Sequence, residues 1–444
     1  MKQSFERYRR VVLAGAVAMS GVIGAAARGA PPTEPRIDPT RLQGTLEQLS
    51  VYGRPADGSF ADGVSRVAYS DADVAGRAYA LRLMREAGLD PHVDAAGNIT
   101  GTRAGSDSSL KPIIIGSHID SVPRGGNFDG QVGSMSAIEV VRALNDHHVK
   151  TRHPIEVTLW SNEEGGPIGS SAVVQAIAPE ILDRSFNGVR MRDGLEKIGG
   201  DPDHIAQAQR APHSFHAYIE LHIEQGAVLD KASIPIGVVD GIVSIDEYDV
   251  EVHGFANHAG TTPMDQRHDA LLAAAKIVEA VREITTRSPG RQVGTVGRLE
   301  VSPNAPNVIP GLVKLSVEFR DLSDAKIAAL GAETAARLQQ IASDTGTQIT
   351  MTRALHDVPA LADVRIQREI EAAAKSLGLA TLHLPSGAGH DAQNLAQLGP
   401  MAMIFIPSIG GISHSPKELS RWSDVANGAD VLLRTVLGVD RSEL

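Results

Sequence analysis

A glycine-rich stretch between positions 116 and 133, GSHIDSVPRGGNFDGQVG, carries an imidazole and two carboxylates directly after an apolar run. His118 and Asp120 are two residues apart, so an extended backbone would place both side chains on one face. A histidine that binds metal commonly donates its second ring proton to a carboxylate. We therefore predict His118 as a metal ligand, Asp120 as the group that orients it, and Asp129 as a carboxylate that flexible glycines turn back toward them. The alternatives are a surface His–Asp pair and an Asp-Gly turn.

Three further polar clusters follow probable strands. Glu163 and Glu164 come after an apolar segment that ends at Trp160. One of two adjacent carboxylates can bind metal while the other acts as general base, although a solvated acidic loop is the alternative. His222 lies in ELHIEQG and His414 in GGISHSPKE. Because all these clusters fall at or just beyond strand ends, together they predict one shared site.

Composition limits the classes of function. The chain has 444 residues and a formal net charge of −11, which disfavours binding to nucleic acid or to an anionic membrane surface. It contains no cysteine, so disulfides, thiol nucleophiles and cysteine-based zinc sites are excluded. Any transition-metal site must therefore be built from histidine and carboxylates.

The order of elements predicts an α/β fold with a smaller α+β part. Strands, polar loops and helices alternate up to about position 244, as in an open sheet whose site lies beyond the carboxyl ends of its strands. A strand–helix–strand–strand–helix–strand order follows, which indicates a ferredoxin-like unit. We predict a catalytic domain in two parts, 31–244 and 359–444, interrupted by an insert at 245–358.

The first 30 residues read as an export signal. Basic residues precede a mildly apolar stretch, and Ala25 and Ala27 offer a cleavage site. The Arg9-Arg10 pair resembles a twin-arginine signal but lacks the flanking Ser/Thr and Phe. We expect a periplasmic mature protein without a membrane segment. An uncleaved anchor is the alternative.

Polar residues of the predicted insert form a second group. It comprises His258 in HAGTTPM, Asn307, and Arg320 at the end of a strand. Arginine is well shaped to bind a carboxylate through two parallel hydrogen bonds. Loop capping is the alternative for His258 and Asn307, and a salt bridge to Asp321 or to a nearby helix is the alternative for Arg320.

Six motifs occur in the order of a known family: GSHIDSVPRGGNFDGQVG, SNEEGG, ELHIEQG, HAGTTPM, SGAGHDA and GGISHSPKE. From roughly Arg41 to Val436 the chain resembles the dinuclear-metal amidohydrolases that include N-carbamoyl-L-amino-acid hydrolases, β-ureidopropionases and allantoate amidohydrolases. The resemblance implies a metallopeptidase-like catalytic domain, in which helices flank a central mixed sheet. It also implies that the smaller insert is a lid through which two subunits form a homodimer.

The resemblance also implies a role for each residue. His118, Asp129 and His222 would hold one divalent ion, and Asp129, Glu164 and His414 the other, with Asp129 bridging. Glu163 would be the general base and Asp120 would orient His118. His258 would stabilise the oxyanion. The implied substrate contacts are Gln225, His258, Asn307, Arg320, Gly389 and His390. Zinc or manganese is the expected metal, with cobalt or nickel possible.

The predicted reaction is metal-dependent hydrolysis of a linear ureido or amide bond in a small carboxylate-bearing substrate. Ammonia and carbon dioxide would be released. The substrate would be an N-carbamoyl-L-amino acid or an allantoate-like ureido acid. One alternative is an aminoacylase or dipeptidase, but such relatives usually carry an acidic ligand in place of His222. Another is a binding protein that has lost catalysis. The chain departs from the family at Pro167-Ile168, where an Arg-Phe pair is common, and this leaves the exact substrate open.

Overall fold

A computed structural model describes residues 34–444, and Pro35–Leu444 form one compact unit. The predicted export signal and its cleavage site lie outside the described residues. Within residues 34–444, no helix combines the length and the apolar character needed to cross a membrane. The predicted division into a catalytic domain and an insert stays a prediction.

The first part of the chain alternates helices and strands. Its elements are α1 (Pro39–Leu49), α2 (Asp71–Glu86), β1 (Asp90–Val93), β2 (Ile99–Arg103), β3 (Ile113–His118), α3 (Gln131–Asp146), β4 (Ile155–Trp160), α4 (Ile168–Val174), α5 (Pro179–Leu182), β5 (Ser185–Phe186), β6 (Val189–Arg190), α6 (Met191–Lys197), β7 (Ala217–Ile223), α7 (Val228–Ala232) and β8 (Ile236–Ile242).

The middle part begins where the insert is predicted. Its elements are β9 (Ser244–His253), β10 (Asn257–His258), α8 (Ala270–Arg287), β11 (Val293–Ser302), β12 (Val308–Ile309), β13 (Leu312–Asp321), α9 (Asp324–Thr345) and β14 (Gln348–Asp357). The last part contains β15 (Ala360–Leu361), α10 (Val364–Ser376), β16 (Thr381–Ser386), α11 (Asp391–Leu395), β17 (Met401–Ile406) and α12 (Trp422–Val439).

The large sheet is mixed, with strand order β1-β2-β4-β3-β7-β17-β8-β15 and β16 paired to β8. Its four central strands, β4, β3, β7 and β17, run parallel to one another. Every residue of these four strands is buried, as expected where helices cover both faces of a parallel sheet. Their carboxyl ends therefore lie at one edge of the sheet, which confirms the predicted α/β fold with a central mixed sheet.

The middle part forms a separate antiparallel sheet with strand order β11-β13-β9-β14. The helices α8 and α9 contribute to its own hydrophobic cluster, which is distinct from the core around the large sheet. The strand–helix–strand–strand–helix–strand order and this strand arrangement confirm the predicted ferredoxin-like topology. Exposed residues alternate with partly buried ones at the start of β11 and β14, as in strands with one solvent-facing side.

Candidate metal and active site

The parallel strands bring five predicted ligands together. His118 ends β3, His222 lies near the end of β7, and Asp129, Glu164 and His414 lie in the loops after β3, β4 and β17. His118, Asp129 and His222 form one group of ligand atoms within 4.8 Å of one another, and Asp129, Glu164 and His414 form a second. Asp129 belongs to both. The residues predicted to share each ion therefore lie close together, and their role as ligands stays a prediction.

The two oxygens of Asp129 face different histidines. Its Oδ1 lies 3.1 Å from His222 Nε2 and 3.8 Å from His118 Nε2. Its Oδ2 lies 3.2 Å from His414 Nε2, and His414 Nε2 lies 3.5 Å from Glu164 Oε2. Asp129 is buried, whereas His414 is half exposed. This carboxylate thus stands between the two groups.

Backbone contacts fix which ring nitrogen of each buried histidine faces the site. His118 Nδ1 lies 3.1 Å from the backbone oxygen of Asp120, and His222 Nδ1 lies 2.9 Å from that of Ile223. A carbonyl only accepts, so each Nδ1 carries a proton and each Nε2 faces Asp129. This is the ring orientation that a metal-binding histidine needs. The Asp120 carboxylate is farther away, at 3.6 Å from His118 Nδ1.

The loops around these residues need glycine at a close approach. Gly130 has a φ of +73°, and a Cβ there would lie 2.2 Å from His118 Nε2. Only glycine can take this left-handed conformation while leaving room for the imidazole. The glycine after Asp129 therefore allows Asp129 and His118 to lie side by side.

Glu163 lies next to the first group. Its Oε2 is 3.7 Å from His118 Nε2. Burial raises the pKa of Glu163 well above its usual range, although the nearby His118 opposes the shift. Burial, with the charge of Asp129, also raises the pKa of Glu164 to about 7. A buried carboxylate of raised pKa beside the ligands has the character of a general acid–base group.

The charge balance of the cluster favours a cation. Burial opposes ionisation of Asp129, but hydrogen bonds with His222 and His414 hold its pKa well below the usual range. The hydrogen bond to Asp129 raises the pKa of His414 to about 9. Among the described residues, Glu164 Oε1 is buried without a hydrogen-bond partner. A buried carboxylate oxygen without a hydrogen-bond partner, beside imidazole nitrogens, fits a divalent metal, which would replace the protons that otherwise hold this cluster together.

The predicted substrate contacts occupy two places. Gln225 Nε2 donates to Asp129 Oδ2 at 2.8 Å, so it lies within the cluster. Gly389 and His390 line a cleft of about 780 Å³ beside Glu163, to which β14 and Pro167 also contribute. His390 itself is buried and packs against the His222 ring, with 4.5 Å between ring centroids.

The other three predicted contacts lie on the middle part. Arg320 donates to the Gly387 oxygen at 2.7 Å and pairs with Glu318 rather than with Asp321. His258 lies on β10 and Asn307 directly precedes β12, and both residues are exposed. Within residues 34–444 the side-chain hydrogen bonds of His258 stay inside its own loop. They do not join the cluster in this chain.

Sequence reasoning missed the residues that support the ligands. Glu418 accepts hydrogen bonds from the loop that carries Asp129. Glu220 accepts from Ser117 and Tyr218 beneath the site. Glu418 lies four residues after His414 in GGISHSPKE, so its place in that motif was the available signal.

A parallel-stranded α/β sheet with paired histidine–carboxylate groups at its carboxyl edge defines a hydrolase of metallopeptidase type. The chain belongs to peptidase family M20/M25/M40, whose model matches residues 114–438. The M20 family is metal-dependent.

Relatives within the family are more specific. N-carbamoyl-L-amino acid amidohydrolase from Geobacillus stearothermophilus is 39% identical over 409 residues, which cover 91% of this chain and 99% of the relative. Ureidoglycolate hydrolase from Arabidopsis thaliana is 33% identical, with 90% and 86% covered. An amidase of the hydantoinase/carbamoylase family from Burkholderia multivorans has a crystal structure that matches with a TM-score of 0.85 and 36% identity, covering 92% of this chain and 99% of that one. The predicted family and the predicted amidohydrolase class are confirmed.

Proposed function

We propose that this enzyme hydrolyses N-carbamoyl-L-amino acids and releases the amino acid, ammonia and carbon dioxide. The observation that carries the proposal is the position of Asp129, whose two oxygens face two separate ligand groups. A carboxylate in this position can bridge two cations. The substrate class is supported by relatives of 34–39% identity that bear the name N-carbamoyl-L-amino acid amidohydrolase.

The proposed centre holds two divalent ions. His118, Asp129 and His222 would bind one, and Asp129, Glu164 and His414 the other. Histidine and carboxylate ligands suit zinc or manganese, and also cobalt or nickel. When bound, such a pair supplies a Lewis acid for the carbamoyl oxygen and lowers the pKa of the attacking water.

Glu163 would move the proton. It takes a proton from water as the water oxygen attacks the carbamoyl carbon, and it returns that proton to the amino-acid nitrogen as the C–N bond breaks. The carbamate that leaves then decomposes to ammonia and carbon dioxide. The position of Glu163 supports this role, because its Oε2 lies 3.7 Å from His118 Nε2, beside the proposed centre.

Arg320 would bind the substrate carboxylate, and its contact with Gly387 supports this assignment because that loop borders the cleft. His258 and Asn307 would contact the substrate from a second subunit, with His258 stabilising the oxyanion. Exposed apolar side chains on α8, including Leu272 and Val278, support a homodimer through this part of the chain. Export to the periplasm is proposed from the sequence of the first 30 residues.

The test is a substrate panel assayed with manganese-loaded and zinc-loaded protein. N-carbamoyl-L-amino acids should release ammonia, while their D-enantiomers, N-acetyl-amino acids and dipeptides should react much more slowly. Faster turnover of ureidoglycolate or allantoate would reassign the substrate. Faster cleavage of dipeptides would favour the peptidase alternative.

A Glu163→Gln variant separates chemistry from metal binding. We expect turnover to fall by roughly 10²- to 10⁴-fold, as is typical for loss of a general base. Metal content by plasma mass spectrometry should stay near that of the wild type. Near-normal turnover in this variant would remove Glu163 from the proposed role.

A further inference from the structure

Glu418 lies beneath the loop that carries Asp129. It is 5% exposed, and its Oε1 accepts the backbone N–H groups of Phe128 and Asp129 at 2.9 and 3.1 Å. Hydrogen bonds to a carboxylate are stronger than those between neutral groups. Two of them on consecutive N–H groups fix the direction in which the Asp129 side chain leaves the backbone.

The other oxygen of Glu418 contacts the loop of His414. Its Oε2 accepts from Ser413 Oγ at 2.9 Å, and the same Ser413 hydroxyl lies 2.8 Å from Asp129 Oδ2. Ser413 directly precedes His414 in the chain. Glu418 therefore connects the loop of the shared carboxylate with the loop that supplies an imidazole of the second group.

The chain leaves space for this carboxylate. A Cβ at Gly126 would lie 2.1 Å from Glu418 Oε1 and 2.2 Å from its carboxyl carbon. A glycine in GGNFDG is thus required by the close approach of Glu418. Two motifs almost 300 residues apart in sequence therefore pack closely against each other at this point.

We infer that Glu418 is a positioning residue that sets the affinity of the Asp129 centre for divalent cations by holding Asp129 and His414 in one arrangement. It acts through Asp129 and Ser413 and is not itself one of the ligands. The inference rests on the metal centre of the proposed function.

Manganese binding to chelator-treated protein tests the inference, measured by isothermal titration calorimetry. Glu418→Ala should raise the Kd for Mn²⁺ by about 10- to 100-fold, as is typical when a group that orients metal ligands is removed. Glu418→Gln should stay within roughly threefold of wild type, because its amide oxygen can still accept both N–H groups. Glu418→Asp should be weakened, since the shorter side chain cannot reach Phe128, Asp129 and Ser413 together.

Asp440 provides a matched control. It is also 5% exposed, and it accepts the consecutive N–H groups of Arg152 and His153 at 3.0 and 2.8 Å. Asp440→Ala should lower the melting temperature and leave the Kd for Mn²⁺ unchanged. If Glu418→Ala fails to fold, the inference is tested by comparing the Kd for Mn²⁺ of Glu418→Asp with that of Glu418→Gln.

Two outcomes would overturn the inference alone: a Glu418→Ala protein with wild-type Mn²⁺ affinity, or equal weakening in the Glu418→Ala and Asp440→Ala proteins. Should Glu418→Ala not fold, equal affinity of Glu418→Asp and Glu418→Gln would overturn it. A wild-type protein that binds no Mn²⁺, Zn²⁺, Co²⁺ or Ni²⁺ would instead overturn the proposed function, and the inference with it.

Discussion

The carboxylate of Asp120 accepts hydrogen bonds from the backbone N–H groups of Glu163 and Glu164. Its Oδ1 accepts the Glu163 N–H at 3.3 Å, and its Oδ2 accepts the Glu164 N–H at 3.2 Å. The backbone oxygen of the same residue contacts His118 Nδ1. Asp120 thus connects the loop after β3 with the loop after β4, and its contacts extend beyond the orientation of His118 that the sequence predicts.

We expect Asp120→Asn to lower kcat by about 10- to 100-fold, with a smaller effect on KM. Asparagine has only one side-chain oxygen, so its NH₂ group must face one of the two buried N–H groups. An unsatisfied buried donor costs about 1–3 kcal/mol, and here the cost falls on the position of Glu163. Steady-state kinetics with an N-carbamoyl-L-amino acid would measure this.

Asp440→Asn is the control for this variant, because Asp440 also accepts two consecutive backbone N–H groups away from the site. It should lose stability while kcat stays unchanged. If Asp120→Asn retains the kcat of the wild type, or if Asp440→Asn lowers kcat by as much as Asp120→Asn does, Asp120 has no specific role in positioning the glutamates.

Replacing Arg320 should weaken binding of substrates that carry a carboxylate. Arg320→Ala removes the guanidinium next to Gly387, and loss of a hydrogen bond between charged groups costs about 1.5–3 kcal/mol. KM for an N-carbamoyl-L-amino acid should therefore rise by roughly 10- to 100-fold. Arg320→Lys keeps the positive charge but lacks the planar guanidinium, so its KM should lie between those of the wild type and Arg320→Ala. An N-carbamoyl amine without a carboxylate serves as the control substrate, and an unchanged KM for the acid in Arg320→Ala would refute the assignment.

The clustering of the predicted ligands could be foreseen from sequence because parallel strands end at one edge of the sheet. His118 ends a buried apolar strand, and Glu164 and His414 each follow one, so the pattern alone places them together. The ferredoxin-like topology could be predicted in the same way, because the strand and helix patterns follow one another in the order strand–helix–strand–strand–helix–strand.

Long-range polar contacts could not be predicted in this way. Glu418 contacts Phe128 and Asp129 across almost 300 residues, and its place in GGISHSPKE does not indicate which backbone groups it contacts. The separation of His258 from the cluster likewise depends on how the two sheets are placed. Neither the hydrophobic periodicity of the strands nor the spacing of the motifs predicts that placement. The helix α3 begins at Gln131, directly after Gly130, whose positive φ completes the turn after Asp129.

Stability should depend on pH through His383, which lies on β16. Its Nδ1 is 2.7 Å from Asp240 and its Nε2 is 2.9 Å from Glu371. Partial burial opposes the charged ring, but hydrogen bonds with Glu371 and Asp240 raise the pKa of His383 above 6.5. A raised folded-state pKa stabilises the protein below the unfolded value, and this contribution is lost as the pH rises through the folded value.

We therefore expect His383→Ala to lower the free energy of unfolding at about pH 5.5 by roughly 0.2–1 kcal/mol, since the ring is 41% exposed. The difference should shrink as the pH rises through the raised pKa of His383, so a second measurement at about pH 9 should give the smaller effect. Urea denaturation at both pH values would measure it. An effect of the same size at both would show that packing, and not charge, accounts for the contribution of His383.

Two inactive variants should restore activity when they share a dimer. His258 is exposed and does not reach the cluster of its own chain, so we expect the partner subunit to supply it. In a heterodimer of Glu163→Gln and His258→Ala chains, one site would keep both groups and the other would lose both. Random pairing of co-expressed chains should then give about a quarter of wild-type turnover.

Differently tagged chains allow the heterodimer to be purified. The control is Glu163→Gln paired with Glu164→Ala, a combination that leaves each site defective. A heterodimer as inactive as either parent would place His258 in the site of its own chain.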